Sequence, residues 1–387
     1  MTSTFAVVTG AALVTFISVG MLIPVLPRYV DGPLGSGSAG VGLVVGSIAF
    51  AAAVAQPALG PLSDRRGRRL LVVAGAALMS LSISGYALAT SLPALVALRL
   101  VTGVGEAGVF VGAATAVNDL APASRRGEAV SYFSVAVYGG LAIGPLVGEV
   151  LLEARGFTTV WLTAAGFAAA GGLLGLWTPP PAARRDPAVR SPRWQLHRAG
   201  LPPGVILSLA VVGFVGFAAF VPLYVATIGL AGSRFVFALY AVIVLVVRIF
   251  GARIPDRLGS LRGATGALSS IAAGMFVTSA WAAPTGLYLG TVLLALGMAL
   301  LFPALMPLVV DRAPLAERGS ATATFTTFFD LSQGIGAVVL GVVVSLTGYG
   351  AAFAVAGCLS LLGLVLLHRW FGGEPAPSVG GADRPAR

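Results

Sequence analysis

The sequence predicts an all-α membrane protein, with twelve transmembrane helices arranged as two pseudo-symmetric six-helix bundles. Three observations lead there. The first is composition: of 387 residues 57% are hydrophobic and 10% charged, with a mean hydropathy of +0.95, which marks a chain whose solvent is mostly lipid. The second is the length of the apolar runs, about twenty residues each without polar/apolar alternation. That length selects helices over barrel strands, because hydrocarbon offers no partner for an open backbone group. The third is an internal duplication. Asp64, Asp119, Pro122, Arg126, Gly127, Gly144 and Gly156 recur 192 residues later as Asp256, Asp311, Pro314, Arg318, Gly319, Gly336 and Gly348. Near the start of each half Pro27, Tyr29 and Val30 answer Pro222, Tyr224 and Val225 at an offset of 195, a slip that a short insertion in the first loop explains.

The runs fall at about 5–27, 38–60, 70–90, 92–116, 128–152, 158–177, 201–226, 234–253, 264–283, 285–310, 319–346 and 350–371. The first is read as a span and not as a cleaved leader, since MTSTF carries no positive charge and the run is long enough to cross. The loops after the even-numbered runs, with the C-terminal tail, hold 19 of the 24 arginines, and the loops after the odd-numbered runs hold only Arg28, Arg155 and Arg234. The positive-inside rule then places the first set, and both termini, in the cytoplasm. The net charge of +10 is thereby a topology signal and not a nucleic-acid footprint. Trp177 and Trp370 fall near the predicted cytoplasmic interface and Trp161 and Trp281 near the external one, where an aromatic belt would place them. The expected organisation is an N-terminal bundle over 1–177, a Pro- and Arg-rich cytoplasmic linker over 178–200, a C-terminal bundle over 201–371 and a Gly/Pro-rich tail over 372–387.

Two stretches carry motifs. Gly60–Arg69, GPLSDRRGRR, sets Asp64 among Arg65, Arg66, Arg68 and Arg69 around Gly67, between two apolar runs. Here Asp64 is expected to pair with an arginine or a helix terminus and hold the cytoplasmic side shut in one state. Exposed pairs contribute roughly 0–1 kcal/mol, which suits a gate that opens. The plainer reading is that the arginines only anchor the loop inside. Asp256 and Arg257 take the pseudo-symmetric position in GARIPDRLG. In run 5, Gly140, Gly144 and Gly148 share one helical face at a spacing that lets backbones approach closely in lipid, and Pro145 adds a kink or a freed carbonyl.

Six plus six helices, related by a parallel repeat and joined by a cytoplasmic linker, resemble the major facilitator superfamily, whose substrate site lies between the halves near the midplane. Gly60, Leu62, Asp64, Arg65, Gly67, Arg68 and Arg69 look like its loop 2–3 signature, and Arg99, Gly103 and Gly105 resemble its fourth-helix signature. Within the superfamily, Pro24-Val25-Leu26-Pro27 and Gly140-x3-Gly144-Pro145-x2-Gly148 resemble the drug:proton antiporter group, a resemblance that implies export. The fifth-helix signature usually ends in a second glycine, where this chain has Glu149.

Ionisable groups inside the runs are the sharper signals, because each costs a few kcal/mol at the bilayer centre and is retained for a partner or a task. Glu106 lies mid-run in helix 4 with Arg99 two turns earlier on the same face, and Asp330 lies mid-run in helix 11 with Gln333 one turn on. The two acids sit in opposite halves and are expected to couple protons or substrate; a structural hydrogen bond to a neighbouring helix is the alternative for each. Glu149 reads as a solvated terminus at the outer end of helix 5, and Arg248 as a snorkelling side chain that braces the Asp256 loop. Tyr138, Tyr240 and Phe328 are mid-run aromatic candidates for a cavity wall.

The lone Cys358 and the dispersed His197 and His368 exclude a disulfide framework and show no metal-ligand spacing. No nucleophile–base pair supports an enzyme, and no GxxxxGK[ST] loop supports ATP drive. The expectation is a monomeric transporter in the cytoplasmic membrane, without metal, cofactor or nucleic-acid partner. It would export a small amphipathic or hydrophobic compound against inward proton flow. Three alternatives stay open. Gly105-Glu106-Ala107 resembles the fourth helix of Spinster-type lysolipid transporters, although the charges which that family carries in helix 1 are missing before Arg28. A small-solute importer and a non-transporting scaffold or sensor are the others.

Overall fold

The computed structural model describes residues 3–122, 125–178, 196–250, 259–314 and 317–372, apart from the side chains of Asp64, Arg126, Gly127, Ile249 and Gly319. Among them run twelve long helices. They are α1 (Ser3–Asp31), α2 (Gly37–Arg66), α3 (Arg68–Gly85), α4 (Leu92–Leu120), α5 (Arg126–Arg155), α6 (Phe157–Gly175), α7 (Leu201–Thr227), α8 (Arg234–Phe250), α9 (Ser260–Ala280), α10 (Pro284–Val310), α11 (Arg318–Thr347) and α12 (Tyr349–Phe371). Ten of these are long and apolar enough to cross a membrane. The other two differ for reasons visible in their residues. α8 has 17 described residues, short of the roughly 20 that span hydrocarbon, and 251–258 beyond it lie outside the described residues. α9 mixes serine, threonine and glycine into its apolar positions and packs against both α10 and α12.

Within the first six helices α1 packs on α5 and α6, α3 on α4 and α6, and α2 on α4. Within the last six, α7 packs on α11 and α12, α9 on α10 and α12, and α8 on α10. The two groups meet through α2 with α11, α5 with α8, and α1 with α7. Each crossing follows the repeat: the second helix of one half lies on the fifth of the other, and first lies on first. Backbone geometry repeats as well. Gly67 and Gly259, 192 residues apart, precede α3 and α9 at φ 93°, ψ 153° and φ 80°, ψ 151°. Gly156 and Gly348 start α6 and α12 at φ 77°, ψ −178° and φ 88°, ψ 175°. Only glycine adopts these positive φ values at low cost, so the duplication preserves a turn and not merely a letter.

Lipid tails are as apolar as leucine, so helices in a bilayer associate by close packing. The run-5 glycines serve that purpose. A Cβ on Gly144 would stand 2.5 Å from the Gly20 Cα and 2.6 Å from the Ile17 carbonyl; one on Gly140 would stand 2.7 Å from the Leu13 carbonyl, and one on Gly148 would strike the Met21 carbonyl. The three glycines therefore seat α5 against α1 inside one half, and α5 continues unbroken through Pro145.

Trp161 corrects the aromatic-belt assignment. It is 1% exposed, edge-on to Tyr29 and Tyr86 and stacked on Phe157, whereas Trp177, Trp281 and Trp370 are exposed. Most of the linker, 179–195, and the tail from 373 lie outside the described residues. The linker's last residues dock on the start of α11: the His197 backbone N–H donates to Thr324 Oγ1 at 2.9 Å, and its ring Nε2 lies 2.8 Å from a Glu317 carboxylate oxygen.

Substituting Gly144→Ala should lower stability by about 1–3 kcal/mol, the usual cost of overpacking, because both atoms it would meet are backbone. Gly139→Ala, whose Cβ would find only Leu13 Cδ1 at 3.6 Å, should stay near wild type. Thermal unfolding of the two variants in detergent checks the contrast.

Candidate functional site

The site is the seam between the halves, described from the end carrying the loops after odd-numbered helices (the odd-loop end) to the end carrying the others (the even-loop end). At the odd-loop end the seam is closed by one carboxylate. Glu149, near the end of α5, is fully buried. Its Oε1 accepts from Arg28 Nη2 on α1 at 2.7 Å, from the Ser233 N–H at 3.0 Å and from the Ser233 hydroxyl; its Oε2 accepts from the Arg234 N–H at 2.6 Å. The last three donors sit at the N-terminus of α8, where free N–H groups and the helix dipole favour an anion. Arg28 also donates through Nε to the Pro222 carbonyl of α7 at 3.3 Å, and Arg234 pairs with Glu153 at 2.7 Å. The expectation of a solvated terminus at Glu149 is thus overturned: the carboxylate is buried, with donors from Arg28 of its own half and from Ser233 and Arg234 of the other. Toward the same end, α2 meets α11 through small residues. A Cβ on Gly42 would strike the Ala337 carbonyl, one on Gly46 the Gly334 carbonyl, and one on Gly341 would stand 2.8 Å from the Ser38 carbonyl.

Deeper in the seam lie the two predicted acids. Glu106 is 14 residues into α4, about 21 Å along its axis, and Asp330 is 17 residues from the odd-loop end of α11, about 25 Å along its own. They belong to one electrostatic group: the charges acting on Glu106 are those of Arg99 and Asp330, and the Gln56 side chain of α2 approaches Asp330. Gln333 is half-buried one turn away. Arg99 is buried, and its Nε donates to the Val44 carbonyl at 3.2 Å, so it also ties α4 to α2. Next to it Thr102 links the Tyr86 and Ser82 hydroxyls at 2.6 and 2.9 Å. Of the aromatic candidates, Phe328 packs against Gly204 within its own half, where its carbonyl accepts from Ser208. Tyr138 faces the other half instead, with the Arg248 guanidinium 4.1 Å over its ring. The Arg248 guanidinium therefore points into the seam, and the Asp256 loop that it is expected to brace lies outside the described residues.

At the even-loop end Gly67 breaks the chain between α2 and α3, and Arg68 behind it is buried. Arg68 pairs through Nε with Asp119 at the end of α4 at 2.9 Å and donates to the Ser63 carbonyl at 3.3 Å. Arg65 is exposed, and Gly60 has open space where a Cβ would sit. The Asp64 side chain, Asp256 and Arg257 lie outside the described residues. Sequence reasoning marked Asp119 only as a repeated position; its ion pair joins helices that close sequence spacing cannot connect. No group of three or more His, Cys, Asp or Glu side chains able to hold a metal occurs among the described residues.

The family model described as Major Facilitator Superfamily matches residues 8–286 and 234–386. The chain belongs to the major facilitator superfamily. This transporter is 29% identical over 378 residues to an uncharacterized MFS-type transporter of Salmonella typhimurium, covering 93% of this chain and 95% of that one. It is 32% identical over 377 residues to another of Pseudomonas aeruginosa, covering 92% and 90%. Among solved structures it is similar to the nucleoside transporter NupG (TM-score 0.78, 15% identity, 95% of this chain and 100% of that one). It is also similar to a POT family transporter in complex with a thioalcohol-conjugated peptide (TM-score 0.81, 13% identity, 95% of each chain). At such identities the likeness is one of fold. The transporter is a multi-pass membrane protein and not an enzyme.

Glu149→Ala would leave Arg28 and the first N–H groups of α8 without their shared acceptor, a loss of about 3 kcal/mol for a buried pair. Spin labels at Thr90 and Ala282, both exposed at the odd-loop end of opposite halves, should then show longer distances than in the parent by double electron–electron resonance. An unchanged distribution would mean that the glycine contacts alone hold this end.

Proposed function

We propose that this transporter exports a small amphipathic or hydrophobic organic compound in exchange for protons, by alternating access of a central cavity between residues 1–177 and 201–371. The odd-loop end is external, both termini are cytoplasmic, and the protein works as a monomer in the cytoplasmic membrane. The observation that carries this reading is the electrostatic coupling of Glu106 and Asp330, one acid from each half, across the seam that must open and close. A proton bound to this pair from the external side neutralises charge within a dry site, and its release to the cytoplasm restores a repulsion between the acids that favours separation of the halves. Inward movement of one charge through 100 mV yields about 2.3 kcal/mol, enough for a roughly fifty-fold gradient of a neutral substrate.

The direction of transport rests on the Pro24–Pro27 and Gly140–Gly148 patterns, which resemble those of drug:proton antiporters. Glu149 gives that frame a device of its own, a latch at the external end that holds α5, α1 and α8 together while the cavity serves the cytoplasm. Arg68 and Asp119 stiffen the α2–α3 corner of the cytoplasmic gate, where Asp64, and Asp256 with Arg257 in the other half, complete it.

In inverted vesicles holding an imposed pH gradient, transported drug-like compounds should dissipate the gradient in the parent. Both Glu106→Gln and Asp330→Asn should lower that proton flux at least ten-fold while inserting at parental levels. Unimpaired flux in both variants would remove these acids from coupling, and movement of a labelled lysolipid with silence toward drugs would favour a lipid-transporting role.

A further inference from the structure

Each of the arginines Arg28, Arg68, Arg125 and Arg234 has a carboxylate within 3 Å: Glu149, Asp119, Glu128 and Glu153 respectively. Arg99 has the Val44 carbonyl. Arg248 is different. It stands 14 residues into α8, about 21 Å along the helix, the same depth as Glu106 in α4. Its guanidinium lies 4.1 Å over the Tyr138 ring of the opposite half, and its Nε is buried with no hydrogen-bond partner. A ring face offsets the charge of a guanidinium but accepts none of its N–H bonds in the ordinary way, and the buried Nε has no other acceptor. A cation at this depth is costly to keep unless something else accepts those bonds.

The surroundings indicate what would. The acids of the seam are engaged elsewhere: Glu106 feels Arg99 and Asp330, and Asp330 is approached by Gln56, all on α4, α11 and α2. The α5–α8 wall carries aromatic rings. Tyr240, two turns before Arg248 on α8, stacks on Phe214 at 5.2 Å and lies 5.7 Å from Phe217, both on α7. A planar cation beside aromatic faces matches a carboxylate or sulfonate attached to an aromatic or aliphatic body, since the guanidinium fork receives two oxygens at once and the rings receive the apolar part. From this geometry we propose that Arg248, with Tyr138 and Tyr240, docks the anionic head of the transported compound, so that the substrate is an amphipathic organic anion. The proposal rests on the reading of the seam as a substrate path and narrows its class. It also divides labour in the cavity: protons go to the α4 and α11 acids, and the substrate's charge goes to the α5–α8 wall.

The test uses the purified full-length chain and three probes that share one body and differ in head charge: 2-naphthoate, 2-naphthamide and 2-naphthylmethylammonium. Binding is read from ligand-induced thermal stabilisation without any proton gradient. Expected is naphthoate binding at least ten-fold tighter than that of the amide or the amine in the parent. That preference should be lost in Arg248→Gln, partly kept in Arg248→Lys, and kept in Gly139→Ala. Melting of the ligand-free Arg248 variants near the parental temperature shows that the fold survives; if Arg248→Gln is misfolded, Arg248→Lys and Tyr138→Ala carry the comparison. Equal or tighter binding of the amide or amine, an anion preference that survives Arg248→Gln, or no binding by any probe overturns the proposal. Anion binding that depends on Arg248, without proton-coupled flux of any compound, would sink the antiport reading and leave this site standing. Coupled flux of cations only would do the reverse.

Discussion

The structure depends on backbone-to-backbone contact between helices, because lipid neither drives apolar surfaces together nor accepts hydrogen bonds. Glycine supplies that contact at each level. Gly75 and Gly105 seat α3 against α4, Gly274 and Gly290 seat the equivalent α9 against α10, and Gly20 with Gly144 join α1 and α5. The same device works between the halves, where Gly42 and Gly46 meet Ala337, Gly334 and Gly341. Dispersion contacts of this kind are short-ranged and need no strict donor–acceptor angle, so they hold a helix pair rigid and can also be parted and remade along a seam.

The α5–α8 crossing has a different character. Its odd-loop end is joined by a buried α5 carboxylate that takes donors from α1 and from the start of α8, and its deeper part by a guanidinium over a phenol ring. Directional contacts of this sort define one relative position of two helices. The α5–α8 contacts fix the register of that crossing. Glu149 occupies the place where the related fifth-helix signature has glycine, and it converts a packing position into an ionic one without disturbing the glycine face, because Gly148 still meets Met21.

Much of this was legible in the sequence. Twelve apolar runs became twelve helices, and the 192-residue repeat reappeared as paired glycine turns at Gly67 and Gly259, because helix length and positive φ are local properties. Glu106 and Asp330 stood out because a charge in an apolar run is conspicuous, and the structure brings them into one electrostatic group. What sequence could not supply was partnership over long separations. Glu149 looked solvated because its partners lie 84, 85 and 121 residues away in sequence. Trp161 sat at the expected interface depth, yet depth along a helix says nothing about which side faces lipid. For Arg248 the length of the side chain was legible and its direction was not. Asp64 and Asp256, the acids proposed for the gate, had clear sequence context, but their contacts lie outside the described residues.

These contacts also bound the energetics of switching. Opening the odd-loop end breaks the Glu149 cluster, worth about 3 kcal/mol if a buried charge is left unpaired. Moving a two-state equilibrium from 1:99 to 99:1 requires about 5.5 kcal/mol of differential binding. A latch of this size is strong enough to bias the resting state and smaller than that switching energy, so the substrate and proton proposed above would together suffice to overcome it. Water entering the opened end rehydrates Glu149, Arg28 and the α8 terminus, which lowers the opening cost further. Since the cluster lies on the same helix pair as Arg248 and Tyr138, a ligand that draws α8 toward or away from α5 at depth acts directly on the latch. The link needs no relay through the rest of the fold: α8 is one helix of 17 described residues, about 25 Å, that carries both contacts.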